Sequence, residues 1–190
     1  MRTIIRNATL VNEGACFKGH LIIEDERIAE VLSSEGISDV PCDVEIDASG
    51  MYLLPGVIDA HVHFRDPGLT HKADMESESR AAASGGVTSY MDMPNTVPQT
   101  TSLETLDAKF VDAGKKSRVN YSFFFGVTND NAQLLPSLDK RRVCGVKLFM
   151  GSSTGNMLVD RMETLKNIFA NAGMLIATHC EDQNIISANA

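Results

Sequence analysis

The chain has 190 residues, 43% hydrophobic and 22% charged, the composition of an ordinary globular protein. Its formal charge is −8 and its basic residues cluster only in pairs, Lys115-Lys116 and Arg141-Arg142, so nucleic acid is not expected as a partner. The apolar stretches are short and interrupted, so no membrane span is expected, and the N-terminus MRTIIRNATL has neither the apolar core nor the cleavage site of a secretory signal.

The first fifty residues predict a meander of short strands at 3–11, 20–23, 27–32 and 44–47, separated by polar turns such as Asn12-Glu13-Gly14 and Glu24-Asp25-Glu26. So few strands rarely stand alone, and partners from elsewhere in the chain are expected. From Tyr52 the pattern changes to alternating strands and helices. Residues 52–58 are almost uniformly apolar, which suits a strand buried on both faces. A helix over 73–84 stops at Gly85-Gly86. A strand follows at 87–91, and a Thr101-x-x-Glu104 capping box opens a helix that runs to about Lys116. Strands at 119–127 and 143–150 flank a short helix or turn around Pro136. Asp160-x-x-Glu163 opens an amphipathic helix with Met162, Leu165, Ile168 and Phe169 on one face, ending near Gly173. A last strand covers 174–178, and 184–190 begins a further helix.

Strand–helix repetition predicts an α/β fold with a parallel sheet and right-handed crossovers. Polar, Gly-rich segments follow the strands: HFRDPG, DMPNT, GVTND, GSSTGN and HCED. In parallel α/β folds those ends carry the active site. A (β/α)8 TIM barrel needs about 250 residues, so roughly half a barrel is expected. The expected domains are 1–53, strands of a small β-sandwich, and 54–190, the first part of a barrel.

The end of the first barrel strand reads Asp59-Ala60-His61-Val62-His63. Alternate residues of a strand point the same way, so His61 and His63 can aim two imidazoles at one point. Neutral imidazole is a good zinc ligand. Lys147 stands alone in the apolar strand GVKLFM, where burial lowers an amine's pKa. The neutral amine could take up carbon dioxide as a carbamate able to bridge two cations, or its stem could simply pack while the amine reaches the rim. His179, in THCED, occupies the equivalent place on its own strand, as a ligand or a satisfied core histidine. His20 and His71 read as surface or loop residues. Arg65 follows the H-x-H and presents a fork that matches a carboxylate, or a surface ion pair with Asp66 or Asp74. Asn95, in DMPNT, can donate to a carboxylate and accept from a ring N–H, or serve the turn beside Pro94. Cys16, Cys42, Cys144 and Cys180 form no C-x-x-C pair and are expected as free thiols in a reducing cytoplasm. Cys180 is also a weak candidate ligand beside His179.

The segments PGVIDAHVHFRDPG (55–68), GGVTSYMDMPNT (85–96), GVKLFMGSS (145–153) and THCED (178–182) together resemble the amidohydrolase superfamily and, within it, the dihydroorotases. The resemblance covers the whole chain. It implies a (β/α)8 barrel flanked by a small β-sandwich drawn from both chain termini, two Zn2+ ions per site, and hydrolase activity on a cyclic amide C–N bond. His61 and His63 would bind one zinc, His179 the second, and carboxylated Lys147 both; Arg65 and Asn95 would hold the substrate carboxylate. A further histidine ligand and a proton-shuttling aspartate, the general base, would lie beyond residue 190. The implied reaction interconverts N-carbamoyl-L-aspartate and L-dihydroorotate in de novo pyrimidine biosynthesis. Allantoinase and dihydropyrimidinase or hydantoinase share such a metal site, and a non-catalytic homologue acting as a scaffold is the reading from another class. The expected partner is a small-molecule substrate; a homodimer is allowed but not required. The 190-residue polypeptide by itself is expected to be inactive and poorly stable.

Overall fold

The computed structural model describes residues 1–34, 40–151 and 155–189. The chain divides into two compact units, Met1–Pro55 and Gly56–Ala190.

In the first unit, β1 (Arg2–Asn12), β2 (Ala15–Glu24), β3 (Arg27–Ser33), β4 (Val44–Asp47) and β5 (Tyr52–Leu53) build one sheet. Its order is β3-β2-β1-β4, with β5 also on β1. Glu13 and Gly14, both at positive φ (49° and 77°), close the first hairpin as a two-residue turn. Among the described residues these strands pair with one another: two tight hairpins supply local antiparallel partners, and β4 and β5 return parallel to β1. Tyr52 and Leu53 therefore leave the expected barrel strand and join this sheet. Pro55, which lacks an N–H, falls in the break between β5 and the next strand. His20 is not a surface residue: it is buried in β2, and its Nδ1 accepts the Asn7 N–H at 3.2 Å where β1 bulges.

In the second unit each strand pairs in parallel with the next in sequence, giving the order β6-β7-β8-β9-β10. The strands are β6 (Val57–Val62), β7 (Val87–Asp92), β8 (Asn120–Gly126), β9 (Gly145–Phe149) and β10 (Ile176–His179). Between them run α1 (Met75–Ser84), α2 (Leu103–Lys116), a 3-10 helix (Ala132–Ser137) and α3 (Met162–Asn171), and α4 (Gln183–Ala188) follows β10. This is the first half of a (β/α)8 barrel. The core on one face of the sheet joins Phe123, Phe125, Val146 and Leu148 to Met75, Leu106 and Ile168 from the helices. Fully burying a side chain of this size contributes about 1.5–3 kcal/mol.

Local chemistry sets the helix ends. Asp74 caps α1 by accepting the Ser77 N–H at 2.8 Å. The capping box of α2 is one residue later than expected: Ser102 and Thr105 reciprocate, and Glu104 is exposed. Asp160 does not cap α3 but accepts from Asn129 Nδ2 at 2.9 Å, and Arg161 precedes the helix without a side-chain cap. On the apolar face of α3 Ile168 is buried, whereas Met162 and Phe169 are exposed. Strand β6 also departs from expectation. It has a single neighbour in the sheet, so Val57 and Ile58 are 54% and 60% exposed, while every residue of β9, flanked on both sides, is buried. Among the described residues no helix is long and apolar enough to cross a membrane.

Candidate active site

The C-terminal ends of β6 and β7 bring four candidate residues into one neighbourhood. His61 and His63 lie with ring centroids 5.3 Å apart and planes inclined at 51°. His63 Nδ1 is 2.8 Å from Asn95 Oδ1. A carboxamide oxygen only accepts, so the ring must donate Nδ1–H and its Nε2 keeps a lone pair. That tautomer is the one a metal-ligating imidazole needs when a neighbouring oxygen holds its other nitrogen. Burial pushes the His63 ring below the ordinary imidazole pKa; the Asn95 bond opposes this, and the charges of Arg65 and His61 add to it. Burial thus favours the neutral ring. His61 is exposed and its backbone N–H donates to Asp59 Oδ1 at 3.1 Å.

Arg65 is half-buried and holds a left-handed backbone (φ 63°), which is uncommon outside glycine and costs of order 1 kcal/mol or more. The ion pairs that sequence allowed for it are absent. Asp66 is buried and takes both bonds from Lys116 Nζ, at 3.1 and 2.9 Å, while Asp74 caps α1. Among the described residues Arg65 has no carboxylate partner. Its loop is stitched to the loop after β7: Val97 N–H donates to Pro67 O at 3.1 Å. A Cβ on Gly68, at φ 84°, would overlap Val97 O, so only glycine allows this approach.

The second group lies on β9 and β10. Register pairs Ala177 with Lys147 and His179 with Phe149, so Lys147, Phe149 and His179 share one face of the sheet. Phe149 separates the other two: Lys147 Nζ is 5.0 Å from its ring centroid and the His179 ring 5.9 Å from it. Lys147 is 3% exposed, and its amine has no ion pair or hydrogen bond among the described residues. Burial pushes that amine below the ordinary lysine pKa, with the Cys180 thiol opposing. His179 Nε2 lies 3.4 Å from Glu181 Oε1, and Cys180 Sγ 3.8 Å from Met150 Sδ. Residues 152–154, in the GSSTGN segment, are outside the described residues. His71 is exposed, and all four cysteines are free.

The structure therefore joins His61 to His63, His63 to Asn95, and Lys147 to His179 through Phe149. It does not gather the three histidines into one ligand set: among the described residues no group of three or more His, Cys, Asp or Glu is placed to hold a metal ion. Sequence reasoning missed the buried Asp92 at the end of β7. Its Oδ1 accepts the Phe64 N–H at 3.0 Å and its Oδ2 meets Lys109 Nζ at 2.6 Å. The signal was present, since Leu106, Lys109 and Ala113 share one helical face whose other members are apolar.

Comparison with known proteins places these features in a family. The profile of the dihydro-orotase-like family matches residues 50–190. The dihydroorotase of Lactobacillus gasseri is 31% identical over 189 residues, 98% of this chain and 43% of that protein. The dihydroorotase of Methanosarcina mazei is 35% identical over 185 residues, 95% of this chain and 40% of that protein. The chain thus spans less than half the length of these relatives. Among solved structures, an L-hydantoinase (dihydropyrimidinase) from Arthrobacter aurescens superposes with a TM-score of 0.89 at 30% identity, over 98% of this chain and 42% of that one. A dihydropyrimidinase from Brevibacillus agri superposes with a TM-score of 0.81 at 28% identity, over 99% of this chain and 42% of that one. With the H-x-H strand end, the buried lysine strand and a family match across residues 50–190, the chain belongs to the dihydro-orotase-like family.

Proposed function

We propose that the protein carrying this chain is a zinc-dependent cyclic amide hydrolase that interconverts N-carbamoyl-L-aspartate and L-dihydroorotate. In this reading residues 1–53 are the N-terminal strands of a small β-sandwich and 54–190 the first part of the catalytic barrel. The observation that carries the substrate choice is Arg65. A half-buried guanidinium beside the H-x-H, with its neighbouring carboxylates engaged elsewhere, is a ready receptor for a substrate carboxylate. Dihydroorotate has one; hydantoin and dihydrouracil do not.

The donor chemistry suits a divalent cation. His63 presents Nε2 as a neutral donor, and Lys147 is a buried amine without a counter-charge. We propose His61, His63, His179 and carbamylated Lys147 as the ligands this chain contributes. To form the carbamate, the neutral amine attacks carbon dioxide, a C–N bond forms, and one proton leaves to solvent. Two bound zinc ions would supply Lewis acidity toward the amide carbonyl and lower the pKa of water. The chain's own residues orient the ring: Arg65 pairs with the carboxylate, and Asn95 offers Nδ2 while its Oδ1 holds His63. The proton-shuttling aspartate and a further histidine are expected beyond residue 190. A cytoplasmic setting suits four unpaired cysteines.

A second reading, hydantoinase or dihydropyrimidinase activity, is favoured by the superposition at a TM-score of 0.89. Turnover of dihydroorotate, dihydrouracil, hydantoin and allantoin by the intact protein separates them. Dihydroorotate should be preferred, and Arg65→Met should lower kcat/KM for it by about 10²-fold, the loss of a charge-assisted bidentate contact. Preferred turnover of hydantoin, unaffected by Arg65→Met, would replace the first reading with the second.

A further inference from the structure

Asp92 and Lys109 form an ion pair inside a core of apolar side chains. Their side chains are 0% and 1% exposed, and Nζ and Oδ2 are 2.6 Å apart. Lys109 also donates to Met93 O at 3.1 Å and sits 4.8 Å from the centroid of the Phe123 ring. Two charges so placed lose their hydration, and apolar residues of similar volume would commonly serve stability as well or better. Stability therefore gives a poor account of the pair, and its connections suggest another. Met93 N–H donates to Val62 O at 3.0 Å, and Asp92 Oδ1 accepts from Phe64 N–H at 3.0 Å. His63 thus has the backbone on each side of it tied to the end of β7. Asn95, which holds the His63 ring, lies two residues past Met93, whose carbonyl Lys109 grips. The buried ring of Phe64 rests on Tyr90 at a centroid distance of 4.4 Å, closing the same corner.

We propose that the Lys109–Asp92 pair is a positioning device: it locks the ends of β6 and β7 so that Asn95 holds His63 in the Nδ1–H tautomer with Nε2 presented outward. Helix α2 supplies the lysine, so a helix on one face of the sheet fixes the geometry of a site at the strand ends. The inference rests on the reading of His63 as a ligand, but its test reads the ring and the Phe64 amide and needs neither metal nor turnover.

The test compares two double variants of the full chain, metal-free, each removing both charges so that neither leaves one buried alone. Asp92→Asn with Lys109→Met keeps an acceptor for Phe64 N–H; Asp92→Leu with Lys109→Met does not. Long-range ¹H–¹⁵N spectra report the His63 tautomer, assigned by the signal lost in His63→Gln, and hydrogen exchange reports the Phe64 amide. The Leu/Met variant should fold, give mixed His63 tautomers, and exchange the Phe64 amide about ten- to hundredfold faster, as expected for losing a bond to a charged acceptor. The Asn/Met variant keeps the Phe64 bond but loses the lysine's hold on Met93 O, so it should keep near wild-type Phe64 exchange and lose part of the wild-type tautomer, less than the Leu/Met variant does. A folded Leu/Met variant that exchanges the Phe64 amide faster yet keeps the wild-type His63 tautomer overturns the proposal, because a merely structural pair would loosen the backbone bond and leave the ring alone. Should the intact protein hold no zinc and hydrolyse no cyclic amide while these shifts appear, the functional reading falls and the positioning role stands.

Discussion

Replacing Lys147 with methionine should make the protein more stable while removing a proposed ligand. Lys147 is 3% exposed, and its amine has neither ion pair nor hydrogen bond among the described residues. A buried polar group left without a partner costs about 1–3 kcal/mol. Methionine has similar length, leaves no polar atom to satisfy, and can place its sulfur against the Phe149 ring. The expected gain is about 2 kcal/mol in metal-free, CO2-depleted buffer. With a urea dependence of about 2 kcal/mol per molar, the midpoint should rise by about 1 M. The pH dependence supplies a second check. The folded-state pKa of this amine lies below the ordinary 10.5, so between those two values the unfolded chain holds a proton that the folded chain has shed. Wild-type stability should therefore rise with pH through that window, and the advantage of the variant should shrink as pH approaches 10.5. Urea melts at pH 7 and above, on both proteins, measure this. A variant destabilised by 1 kcal/mol or more, with an unchanged pH slope, would show that the amine is satisfied in the fold and refute the reasoning.

Two further predictions concern the loop and helix that flank the site. Asp66→Ala should cost about 2–4 kcal/mol, because it leaves the N–H of the buried Met75 without its acceptor as well as breaking the Lys116 pair, and Lys116→Met should cost about 1–3 kcal/mol because it leaves the buried Asp66 carboxylate without its cation; losses under about 0.5 kcal/mol in urea melts for either variant would contradict this. Asp74→Ala should cost α1 about 1 kcal/mol through loss of its cap. The Ser77 bonds hold the Asp74 carboxyl below its ordinary 3.8, so the contribution is present above that value and lost as pH falls through the folded-state value; wild type and variant should converge in acid, which far-UV circular dichroism against pH would show or deny.

Much of the barrel half was legible because its signals are local. Periodicity marked β7 through β10 and the helices between them, and the H-x-H followed an apolar strand as a strand-end site would require. What escaped depends on position in the sheet, not on pattern. An apolar run cannot say that β6 has one neighbour, so its exposure was hidden, and the same run concealed the division of Tyr52 and Leu53 from Val57. His20 reads as polar, yet the β1 bulge at Asn7 gives it a backbone donor and allows its burial. In the candidate site, the nearness of His61, His63, Arg65 and Asn95 was legible from their places at or just past two strand ends. The tautomer of His63 was not, since it follows from a 2.8 Å contact between residues 32 positions apart. The Lys109–Asp92 pair was half legible: Lys109 falls on the apolar face of α2 with Leu106 and Ala113, but no pattern names Asp92 as its partner, and only their juxtaposition permits both to be buried.

On the proposed reading, imidazoles and a modified lysine from neighbouring strands bind catalytic cations. Elemental analysis of the intact protein, paired with turnover of dihydroorotate before and after chelation, decides this. About two zinc ions per chain are predicted, with activity lost on chelation and restored by zinc, and with metal content reduced in His63→Gln and Lys147→Met. Undiminished turnover by exhaustively chelated, zinc-free protein would contradict it.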